Sequence, residues 1–143
     1  MKVINFRWVI INDLMIGHGT SGPVDDTVWN EYVSDLETKP ITRYLGAMVG
    51  AFSVNSIQRK VAAEVAKKKK IKIGVLTDDR LVRGLVTAVA WMGTDIRAFS
   101  WNEMEAVFQF LKVSGPLLLR AREAIRELEA ASAANMKEIH DKR

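Results

Sequence analysis

The sequence predicts an α/β fold: a single domain with a mainly parallel sheet, an N-terminal hairpin, and a long C-terminal helix. Three observations predict it. Short runs rich in β-branched and aromatic residues alternate with stretches whose apolar residues recur at helical spacing. The first two runs have no helix between them, so they form a hairpin. The last part of the chain keeps a helical period with no further strand. Strand–helix alternation calls for parallel strands joined by right-handed crossovers. The 143 residues suit one domain with its own core, and 48% hydrophobic with 27% charged residues excludes disorder of the whole chain.

The elements follow in order. Residues 2–11, KVINFRWVII, read as a strand, Asn12-Asp13 as a turn, and LMIGHG as a second strand. Residues 20–26 form a loop. In DDTVWNEYVSDLET, Val28, Trp29, Tyr32, Val33 and Leu36 make one helix face, with Asp25 or Asp26 as cap. Residues 43–54 are an almost unbroken apolar run with Gly46 and Gly50, expected as a buried central strand. Asn55 or Ser56 caps the next helix, whose expected buried stripe is Ile57, Val61, Ala62 and Val65. Lys67 to Lys70 crowd its end, where the dipole favours cations.

Residues 71–77 are a strand, and Leu81 to Met92 a helix stopped by Gly93, with Trp91 expected in the core. Residues 95–101 are a short strand. Ser100 or Asn102 caps a helix that turns Met104, Val107, Phe108 and Leu111 inward. After the break at Ser114-Gly115-Pro116, Leu117 to Ile139 is one helix. Its seam of Leu118, Ala121, Ile125, Leu128, Ser132, Asn135 and Ile139 has heptad-like spacing. The expected division is 1–113 for the α/β domain and 114–143 for a helical extension that self-associates through Leu118, Ala121, Ile125 and Leu128.

Composition narrows the function. The absence of cysteine excludes disulfides, thiolate zinc sites and cysteine nucleophiles. The opening residues lack a signal-peptide pattern, and no run reaches about 18 uncharged apolar residues. A cytoplasmic protein without a membrane span is expected. The net charge of +4 comes largely from the Lys67–Lys70 run, a solvated helix end, so nucleic acid is not an expected partner. No dinucleotide or P-loop fingerprint, G-x-S-x-G elbow, or nucleophile beside a base occurs. His18 and His140 offer no converging group to Asp78-Asp79. No catalytic residue, metal ligand or cofactor is therefore expected.

The element order and two phrases, VLTDDRLVRGLVTAVAWMG and IRAFSWNEMEAVFQFL, resemble the STAS domain, the family of anti-sigma-factor antagonists related to the sporulation protein SpoIIAA. The resemblance covers roughly residues 2–113. It implies a non-catalytic protein-interaction or regulatory module, part of a bacterial signalling system. It also implies a phosphorylated Ser or Thr where the helix after the third strand begins. That stretch is AFSVNSIQRK, which lacks the family's Asp-Ser-Ser-Gly-like motif and offers Ser53 and Ser56.

The residues define the expected partner or anion surface: Ser53, Asn55, Ser56 and Arg59 at one strand-to-helix junction, and Asp78, Asp79, Arg80 and Arg83 at the next. Ser56 is the candidate phosphorylation site, since a helix N-terminus favours phosphate. The aspartates serve as caps, and the arginines suit carboxylate or phosphate. Trp8 and Trp101 are candidate interface anchors. The protein partner has two rivals: a small anion or nucleotide held at the Asp78–Arg83 edge by a binding protein or an enzyme, and self-assembly into a scaffold through the C-terminal helix or the sheet.

Overall fold

The computed structural model describes residues 4–141, and of residues 135–141 only the helical backbone. The hairpin comes first. Strands β1 (Phe6–Ile11) and β2 (Leu14–Gly19) pair antiparallel across Asn12, which takes a left-handed φ of 56°. Three further strands then add in parallel: β4 (Arg43–Met48), β6 (Lys72–Leu76) and β7 (Ile96–Phe99). The sheet order is β1-β2-β4-β6-β7. Each strand adds beside the one before it, so every right-handed crossover lands on the same face. Helices α1 (Asp26–Thr38), α2 (Ser56–Lys69) and α3 (Arg80–Trp91) share that face. Helices α4 (Met104–Phe110) and α5 (Gly115–Asp141) cover the other.

Strand alternation divides the side chains into two cores. Along β2, Met15 joins the core under α1–α3, while Leu14 and Ile16 join the core under α4 and α5. Tyr44 and Met48 of β4 point to the first core, Leu45 and Ala47 to the second. The first core is aromatic: Phe6, Trp8, Trp29, Tyr32 and Phe52 meet ring to ring. Gly17 and Gly19 make room for it. A Cβ on Gly17 would meet the Tyr44 hydroxyl, and one on Gly19 would meet Phe52 and Met48. This is the physical reason for the GHG sequence in a strand.

Several expectations are corrected. The run 43–54 is not one strand: β4 ends at Met48, and the chain turns at Gly50 (φ 73°). It then forms β5 (Phe52–Ser53), which pairs with β3 (Gly22–Pro23) in a separate two-stranded sheet. Strand β7 stops at Phe99, and Trp101 begins a 3-10 turn, Trp101–Glu103. Trp91 is not in the core but 85% exposed. On α2 the expected stripe holds in part: Ala62 and Val65 pack half-buried on the first core, but Ile57 and Val61 face solvent, and Gln58, Ala63 and Ala66 are buried. The small alanines, rather than the larger Ile57 and Val61, face the sheet.

Helix α5 lies across β1 and β2. Ala121, Ile125 and Leu128 are buried beside Ala124 in the second core, and Leu118 is half-buried against it. Residues expected to meet another copy thus cover this chain's own sheet. Asn135 and Ile139, at the far end of that seam, lie outside the described side chains, as does His140. No helix of the described residues is long and apolar enough to cross a membrane.

Candidate functional site

Strands β4 and β6 are parallel neighbours, so the starts of α2 and α3 lie at one edge of the sheet, beyond the strand C-termini. Open α/β sheets bind ligands at this edge. Each helix start is built by local hydrogen bonding. Asn55 caps α2: its side chain accepts from Gln58 N–H at 2.8 Å, and Gln58 Oε1 accepts from Asn55 N–H at 3.0 Å. This capping box satisfies two orphan donors reciprocally. Asn55, not Ser56, is therefore the cap, and Ser56 stands exposed in the first turn. Ser53 is exposed on β5.

The Asp78–Arg83 stretch resolves into distinct duties. Asp79 caps α3, accepting from Leu81 N–H at 2.9 Å and Val82 N–H at 3.0 Å. Asp78 accepts from Trp101 N–H at 3.2 Å and so ties the junction to the turn after β7. Arg83 donates to Ser100 Oγ at 2.7 Å and to the Thr77 carbonyl at 3.3 Å. It laces α3 to the ends of β6 and β7. Arg80 is exposed. Neither arginine forms an ion pair among the described residues. Asp79 is thus the cap that the sequence predicts, whereas Asp78 is a cross-link.

Arg59 donates to the Val54 carbonyl at 3.1 Å and forms no ion pair among the described residues. It borders an apolar cavity of about 130 Å³ between α2, α3 and the sheet, lined also by Ala62, Ala66, Val82 and Val86. The cavity joins Arg59 to Val82 and Val86 of α3, but Asp78, Asp79, Arg80 and Arg83 do not line it. Ser53 and Ser56 do not line it.

Above this cavity the two helices turn large apolar groups outward. Ile57 and Leu81 are each 74% exposed, and Val61, Trp91 and Met92 are exposed as well. Along α3, Leu81, Gly84, Ala88 and Trp91 follow one another at helical spacing on the uncovered side, while Val82 and Val86 pack on the sheet. A Cβ on Gly84 would meet nothing within 4 Å. The glycine needs no close contact within this chain.

Two features escape sequence reasoning. Gln58, which the sequence does not single out, is buried. It donates to the Val24 carbonyl and Asp26, while its carbonyl accepts from the Trp29 indole at 2.9 Å. Lys69, one of the lysine run, donates to the carbonyls of Leu36, Glu37 and Lys39 and closes the end of α1. The S/N-x-x-Q/E spacing signals the first; nothing local signals the second. Trp101, half-buried, donates its indole N–H to the Met48 carbonyl at 2.8 Å, and Trp8 donates to Asp35 at 2.9 Å. Both are anchored within the fold.

His18 on β2 is buried on the α5 side, with Nδ1 3.1 Å from Ser132 Oγ. Burial pushes its pKa down. Asp13 is held below the usual carboxylate range by hydrogen bonds from Arg43, at 2.7 Å, and Thr42. Among the described residues, no three His, Asp or Glu side chains gather to hold a metal. No family model matches the chain, and no curated protein is significantly similar to it.

Proposed function

We propose that the chain is a non-catalytic interaction and regulatory module of STAS-like type, whose protein partner docks on the outward face of α2 and α3. One observation carries this reading: the fold leaves Leu81 and Trp91 of α3 and Ile57 of α2 exposed, large apolar side chains with no cover from this chain. Large exposed apolar side chains clustered on helix surfaces mark an interaction surface. The order hairpin, then successive strand–helix units, supports the STAS-like assignment. Arg80 at the patch margin suits an acidic rim on the partner.

Ser56 gives the face a means of control. Its hydroxyl is exposed one residue before Ile57, at a helix N-terminus that favours phosphate. A phosphoserine there places roughly two negative charges beside the apolar patch. Affinity capture with wild-type chain, Leu81→Ser/Trp91→Ser and Ser56→Asp tests the reading. A protein bound by wild type should be lost by the double variant and weakened by Ser56→Asp. Equal recovery by wild type and the double variant would refute the docking face.

A further inference from the structure

We propose that the cavity between α2 and α3 binds a small amphipathic anion, an acyl-chain carboxylate whose tail fills the cavity and whose head meets Arg59. This site adjoins the docking face but does not depend on a protein partner there.

The cavity has a cause in the sequence. Helix α2 presents Ala62, Ala63 and Ala66 to the sheet and sends Ile57 and Val61 outward. Small side chains on the inner face leave space that the larger ones would have filled. Packed interiors hold few voids larger than a water molecule. At about 130 Å³ this one is close to the roughly 150 Å³ apolar cavity that takes up benzene. Water is a poor occupant, since it needs two to four polar partners. The walls offer few polar groups besides Arg59, chiefly the hydroxyls of Tyr32 and Tyr44. Burial pushes both phenols up, so neither supplies an anion.

Arg59 sets the chemistry of the other end. It is the one charged residue among the described cavity walls, and it is partly exposed. Its bond to the Val54 carbonyl at 3.1 Å holds the guanidinium beside the cavity and uses one of its five donors. A planar fork with free N–H groups matches a carboxylate. Leu85 and Val89, partly exposed on α3, also line the cavity and connect it to the surface. An apolar chamber with a single cation beside it fits a fatty-acid-like molecule better than a nucleotide, which would need several polar groups around a base and a sugar.

The test uses octanoate and octanol as probes on the full chain, followed by amide NMR shifts and melting temperature. Both probes should raise the melting temperature and shift the signals of Val82, Val86 and Ala66. Arg59→Gln should weaken octanoate about tenfold and leave octanol unchanged. Ala63→Leu, which fills the chamber, should abolish both. Should that variant fail to fold, the octanoate–octanol contrast in Arg59→Gln carries the decision. Absence of shifts at these residues with millimolar octanoate overturns the site. Equal binding of octanoate by wild type and Arg59→Gln overturns the role of Arg59. Neither result bears on the docking face, because no protein partner is present.

Discussion

Arg80 and Arg83 are one turn apart in sequence and have different fates. Arg83 reaches Ser100 and the Thr77 carbonyl, so it holds three elements together. Arg80 is free for solvent or a partner. Arg83→Ala should cost about 1–3 kcal/mol by stranding those groups, and Arg80→Ala should stay within about 0.5 kcal/mol. Urea unfolding of both variants measures this, and equal losses would contradict the division of roles. His18 gives a pH signature. Its folded pKa lies below the ordinary 6.5, so the unfolded chain takes up its proton first as pH falls. Stability then declines as pH drops below that ordinary value. Wild-type urea midpoints should fall between about pH 7.5 and about pH 5.5, above the range where Asp13 titrates. His18→Leu should flatten the trend, and an unchanged slope in that variant would exclude His18 as its source.

Helices α2 and α3 show how far a pattern reaches. Their starts were legible: an Asn or Asp before an apolar-periodic stretch is a cap whatever the fold. Their orientation was not. Helix α3 gathers Val82, Leu85, Val86 and Val89 on one side, opposite Arg80 and Thr87, yet Leu81 and Trp91 lie off that side, and their exposure was not evident from spacing. On α2, Ile57 and Val61 outrank alanine in hydrophobicity, yet Ala63 and Ala66 take the interior positions and leave a cavity beneath them. For α3 this has a measurable consequence. Leu81→Ser/Trp91→Ser should change stability by no more than about 1 kcal/mol, because both residues are largely exposed. Val82→Ala/Val86→Ala should cost several kcal/mol, on the order of the transfer and cavity terms for two buried residues. Thermal unfolding distinguishes the pairs, and the reverse ranking would mean that α3 packs with its other face inward.

The layers explain why the last helix belongs to the domain. Consecutive right-handed crossovers place α1, α2 and α3 on one face and leave the other face of β1 and β2 bare. Helix α5 closes it with Ala121, Ala124, Ile125 and Leu128 over Leu14 and Ile16. A chain ending at Val113 should therefore lose cooperative unfolding and bind a hydrophobic dye. A compact, cooperatively folding 1–113 form would show the division at 113 to be a true boundary. The alternation of strands and helices, the hairpin and the caps were all legible in the chain. Each depends on residues within about four positions of one another, where spacing and capping chemistry act. The outward face of α3, the alanine-lined cavity, the burial of Gln58 and the meeting of Arg83 with Ser100 came from the folded arrangement. They join residues far apart in sequence, and packing against the sheet, rather than local preference, selects among the faces each helix could turn inward.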